Sequence, residues 1–156
     1  MRKNYEPQLT FGQTPIDEIK INMRARDEIP KLLLGLQHIY CNRELRKKVF
    51  DILEAITPDD VDSKNGRPGM DRWKILVMGT IRLNCNWDYD KLQDIVNNHR
   101  TIRQMLGHGL MDDDQEYPMQ TIRDNVKLLT PEVLDKINTV VVEEGHKLLL
   151  KKKTRR

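Results

Sequence analysis

An all-α domain is the fold this sequence predicts: a multi-helix orthogonal bundle of about seven helices containing a helix-turn-helix-like unit. Three observations lead there. Apolar residues recur at helical spacing in segment after segment, no segment sustains the period-two alternation of a strand, and proline or a capping side chain stands where several apolar patterns begin. The chain has 156 residues, 33% of them charged and 38% hydrophobic, with only two Phe and two Trp. That length suits one domain, and the apolar supply is mainly Leu, Ile and Val.

Residues 1–13 read as a polar N-terminal arm. Thr14-Pro15, with Asp17 behind it, reads as an N-cap, a first-turn proline and a capping-box pattern opening a short helix. A helical domain then spans 14–150. Its hairpin occupies 27–56: Ile29, Leu32, Leu33, Leu36 and Tyr40 line one helix, and Leu45, Val49, Ile52, Leu53 and Ile56 the next, with Asn42 capping the second. A turn-rich connector fills 57–70. Core helices and the helix-turn-helix-like unit occupy 71–129. The first is apolar on most faces (Trp73, Ile75, Leu76, Val77, Met78, Ile81), has Asp71 as N-cap and reads as a buried central helix. Helices over 88–97, 101–106 and 119–129 follow, with Gly107 placed for a left-handed cap. Thr130-Pro131 opens the final helix, 131–150, and 151–156 is a basic tail.

Several function classes recede on chemistry. No apolar run approaches the roughly 20 residues needed to cross a bilayer, and the start has no apolar signal-peptide core, so a cytoplasmic chain is expected. Cys41 and Cys85 lie far apart and read as two free, buried thiols. Four histidines show no metal-ligand spacing, so neither a metal site nor a cofactor is expected. The acidic runs at 59–62 and 112–116 read as solvated loops, because contiguous carboxylates repel one another.

Net charge is +3, but basic residues are clustered. Lys64, Arg67 and Arg72 surround a Gly-Pro hinge ahead of the apolar helix, and Arg100 and Arg103 form a second strip. On the helix from Met119, residues Gln120, Arg123, Asp124 and Lys127 point one way, flanked by Thr121 and Asn125. Gln, Asn and Arg fit base edges bidentately, and Lys and Arg fix register on phosphates. The same face also reads as an ordinary solvated one, since Arg and Lys favour helices.

The segment "GRPGMDRWKILVMGTIRLNCNWDYDKLQDIVNNHRTIRQMLGHG", with its continuation "YPMQTIRDNVKLLTPEVLDKINTVVVEEGHKL" and the upstream "RDEIPKLLLGLQHIY", resembles the N-terminal helical region of ISNCY-type bacterial insertion-sequence transposases, over roughly residues 16–153. "NNHRTIRQMLGH" is its most specific piece. The resemblance implies a domain that binds double-stranded DNA at terminal inverted repeats, near the nucleoid. It also implies that a separate RNase H-like domain, with three dispersed carboxylates and Mg²⁺, cuts and joins DNA. This chain ends about where that domain begins and offers no strands for it, so no catalysis and no bound metal are expected here. Arg67, Arg72, Arg100 and Arg103 become candidate phosphate contacts, and Gln120, Thr121, Arg123 and Lys127 candidate recognition residues. A homo-oligomerisation module built on the hairpin and the last helix is the alternative, and an inert transposase fragment a third reading.

Overall fold

The computed structural model describes residues 12–24, 27–57, 70–109 and 116–154, with 148–154 given by their backbone. Among the described residues the protein is all-helical: seven α-helices, one 3₁₀ turn and no strand. The helices are α1 (Ile29–Cys41), α2 (Arg43–Ile56), α3 (Arg72–Cys85), α4 (Tyr89–Asn98), α5 (Arg100–Met105), α6 (Met119–Val126) and α7 (Pro131–Thr154). None of them is long and apolar enough to cross a membrane.

Capping chemistry sets many of the boundaries. Asn42 alone separates α1 from α2, and its Oδ1 accepts the Leu45 N–H at 3.2 Å. Asp88 opens α4 by accepting from the Lys91 N–H, and the Thr130 hydroxyl opens α7 by accepting from the Val133 N–H. Asn86 ends α3 in the left-handed region at φ 53°, and Gly107 follows α5 at φ 90°, a value that suits a residue without Cβ. Two expected caps differ. Asp71 holds the N-cap position of α3, but its carboxylate lies 3.9 Å from the Lys74 ammonium rather than on a backbone N–H. Thr14 caps nothing: Ile16–Glu18 is a three-residue 3₁₀ turn starting at an extended Pro15. Gln37 of α1 donates to the carbonyls of Ile16 and Ile19, which satisfies that turn from outside and seats both isoleucines in the core.

The core forms around α3. Trp73, Ile75, Leu76, Val77, Met78 and Ile81 are fully buried, as the apolar run on most of its faces requires. α3 touches α1, α2, α4 and α6. The Trp73 ring meets Tyr40 of α1 edge-on at 5.2 Å, and its indole N–H donates to the Met105 carbonyl of α5 at 2.8 Å. Gly79 gives the closest approach: a Cβ there would stand 2.9 Å from Leu129 Cβ, in the turn after α6.

The hairpin of α1 and α2 flanks this centre, and α7 lies along α2. Their seam carries Glu144, a buried carboxylate that accepts hydrogen bonds from the Lys48 and Lys147 ammonium groups. The Lys48 bond holds the Glu144 carboxyl below its ordinary range against the opposing effect of burial. The expectation of two buried thiols is corrected for Cys41. Both cysteines are free, but Cys41 is exposed at the end of α1 and Cys85 half-buried. The helical pattern brings Ile39 rather than Cys41 inward.

Candidate nucleic-acid interface

α4 and α6 run antiparallel. Asn97, near the end of α4, meets the residue before the α6 proline: its Oδ1 accepts the Tyr117 N–H at 2.8 Å and its Nδ2 donates to the Tyr117 carbonyl at 3.3 Å. Gln93 donates to the same carbonyl at 3.1 Å. Tyr89, at the start of α4, faces the later part of α6 at Arg123. Ile122 and Val126 turn the inner side of α6 into the core. The outer side follows from the helical period: Gln120, Arg123, Asp124 and Lys127 are exposed and Thr121 is half-buried. α6 stops at Val126, so Lys127 stands in the closing turn rather than in a helix reaching 129. Gln120 donates to the Asp124 carboxylate at 2.8 Å, and Asn125 donates to the Thr121 carbonyl.

The expected phosphate contacts divide. Arg100 is exposed at the start of α5. Arg67 lies outside the described residues, as do Lys64, the acidic run at 59–62 and Asp112 to Asp114 of the second run. Arg72 and Arg103 are corrected, because both point inward. Arg72 is 6% exposed and its Nε donates to the Thr57 hydroxyl at 2.8 Å, tying the start of α3 to the end of α2. Arg103 is 9% exposed, and its Nη1 reaches the Val96 carbonyl at the end of α4. A buried guanidinium has to be hydrogen-bonded, and these two are committed to linking helices. Arg103, Arg100, Asn97, Gln104 and His108 border a polar hollow of about 460 Å³ beside Gly12. His108 Nε2 and the Tyr117 hydroxyl hydrogen-bond to each other within this region.

His99 is the single residue between α4 and α5, and its Nδ1 accepts the Ile102 N–H at 3.3 Å. That bond requires an unprotonated Nδ1. Burial pushes the imidazole below its ordinary value of 6.5, and Asp27 opposes this. The folded state thus binds the proton less readily than the unfolded chain. Stability is fully present above pH 6.5 and declines as the pH falls from there through the lower folded value. In His99→Asn, a capping residue that does not titrate, the decline just below pH 6.5 should flatten in urea titrations at stepped pH, and an unchanged slope would exclude His99 as its source.

A feature the sequence reading passed over lies beside α6. The Tyr89 ring carries two cations, with the Arg82 guanidinium 4.2 Å and the Arg123 guanidinium 5.9 Å from its centre. Next to it, the Lys91 ammonium stands 5.8 Å from the centre of the Trp87 ring. Arg82 belongs to the buried helix and Tyr89 to an apolar stripe, so each reads as packing when taken singly. The available signal was Arg82 itself, a cation near the end of a helix that is apolar on most faces.

Among the described residues no three of His, Cys, Asp and Glu gather as a metal-binding set. Comparisons with protein families, with curated proteins and with solved structures return no match.

Proposed function

We propose that this chain is a non-catalytic DNA-binding domain of the kind that begins insertion-sequence transposases, and that α6 lies against duplex DNA. One observation carries the reading. α6 is anchored on α3 and α4 and presents Gln120, Arg123 and Lys127 to solvent, and no carboxylate among the described residues pairs with Arg123 or Lys127. In this reading α3 and α4, joined by the three-residue turn Asn86–Asp88, form the supporting pair of a helix-turn-helix-like unit. Gln120, Thr121 and Arg123 address base edges, and Arg100 and Lys127 address phosphates. Arg72 and Arg103 have no part in it.

The test is an anisotropy titration against a duplex carrying the inverted repeat that flanks the coding sequence, with a random duplex beside it. Affinity should fall with salt, the log–log slope being about −0.9 for each phosphate neutralised. Arg123→Ala should cut the discrimination between the duplexes by about 1–3 kcal/mol. Affinity indifferent to salt would reject the reading.

A second reading, self-association, is favoured by Leu34 of α1 and Val142 of α7, large apolar side chains exposed to 46% and 55%. A stable dimer in sedimentation that is silent toward DNA would favour it.

A further inference from the structure

Arg82 extends from the end of α3, half-buried, in a domain whose other deeply placed cations are committed. Arg72 is hydrogen-bonded to Thr57 and Arg103 to the Val96 carbonyl. Arg82 Nε is buried and makes no hydrogen bond among the described residues. Contact with the Tyr89 ring at 4.2 Å therefore holds this guanidinium in place, while its Nε meets no acceptor among the described residues. Arg123 approaches the same ring from α6 at 5.9 Å. Both distances fall within the roughly 6 Å over which a ring's quadrupole attracts a cation.

Two positive groups converging on one ring repel each other, and the described ion pairs join neither of them to a carboxylate. An oxyanion that accepted from both would offset that repulsion. A guanidinium has five donors in a fixed fork, so one that rests on a ring still has donors for a phosphate. α3 and α4, linked by the Asn86 turn, hold Arg82 and Tyr89, and α6 brings Arg123.

We propose that Arg82, Tyr89 and Arg123 form a phosphate clamp, in which the tyrosine ring pre-sets two guanidinium groups for one phosphate oxyanion. The clamp rests on the DNA-binding reading for its natural ligand, a backbone phosphate next to the bases that α6 addresses. Its chemistry extends equally to free phosphate. Arg82 and Tyr89 thereby join the interface, and Arg123 acts there partly through a contact that carries no sequence information.

Two measurements test it. In the first, the arginine side-chain N–H signals of the wild-type protein are followed by NMR during titration with inorganic phosphate, against sodium chloride at equal ionic strength. The Arg82 and Arg123 signals should move with phosphate beyond the chloride response. Identical responses to the two salts would overturn the clamp. In the second, DNA affinity is measured for Arg82→Gln, Arg123→Gln and the double variant, each with its thermal midpoint. If both arginines hold one phosphate, the double variant loses less than the product of the two single losses. Arg82→Gln should also shrink the salt slope by up to about 0.9. No loss in Arg82→Gln, or losses that multiply, would overturn the shared site even where wild-type DNA binding stands. Absence of wild-type DNA binding would reject the functional reading and leave the phosphate titration to decide the clamp alone.

Discussion

Trp73→Ala is expected to lower the free energy of unfolding by about 3–5 kcal/mol, the range for removing a large aromatic from a core. The indole is fully buried and joins three helices: it stands on α3, meets Tyr40 of α1 edge-on and donates to the Met105 carbonyl of α5. Alanine leaves a void between those helices and a buried carbonyl without its indole donor. A domain is stable by only about 5–15 kcal/mol, so this single change takes much of the total. Trp73→Phe separates the two contributions. It keeps an aromatic ring beside Tyr40 and loses the donor, at a cost of about 1–3 kcal/mol. Urea denaturation followed by circular dichroism measures both, and the alanine variant should unfold at clearly lower urea than the phenylalanine one. Equal midpoints would show that the ring's volume is not what the centre of the bundle depends on.

Gly79→Ala and Leu129→Ala should each destabilise and should partly rescue one another. A methyl group at position 79 meets the Leu129 side chain, and overpacking of this kind costs about 1–3 kcal/mol. The better helix propensity of alanine returns up to about 1 kcal/mol of that. Leu129 is 2% exposed, and its truncation costs about 2–5 kcal/mol. In the double variant the added methyl occupies space that the lost isobutyl group vacates, so the two costs do not add. The coupling should fall within about 0.5–3 kcal/mol in a double-mutant cycle. Strict additivity would mean that α3 and the turn after α6 separate freely in the single variants.

The helices were legible because their apolar residues repeat at helical spacing. α1, α2 and α3 begin and end within two residues of where Ile29 to Tyr40, Leu45 to Ile56 and Trp73 to Leu83 place them. Asn42 and Thr130 cap as local chemistry dictates. Where a partner from elsewhere in the chain decides, the sequence was silent. Gln37 captures the 3₁₀ turn that Thr14 was expected to open, and Arg72 turns inward because Thr57, 15 positions earlier, offers a hydroxyl. Arginine strips near a Gly-Pro hinge look alike whether they serve solvent or the interior. For the candidate interface, the exposure of Gln120, Arg123 and Lys127 followed from period alone. The meeting of Arg82, Tyr89 and Arg123 on three helices had no local signature, since each residue fits an ordinary role in its own helix.

The grip of Asn97 on Tyr117 bears on how such an interface can change over time. One amide side chain supplies both a donor and an acceptor to the backbone just ahead of α6, much as a neighbouring strand would. Together with the packing of α6 on α3 and α4, this grip holds the start of α6 from the side of α4. A change in the length of the 110–115 stretch is expected to leave the outward-facing side chains of α6 at the same angle. That separates the evolution of a connecting segment from the evolution of the face it serves.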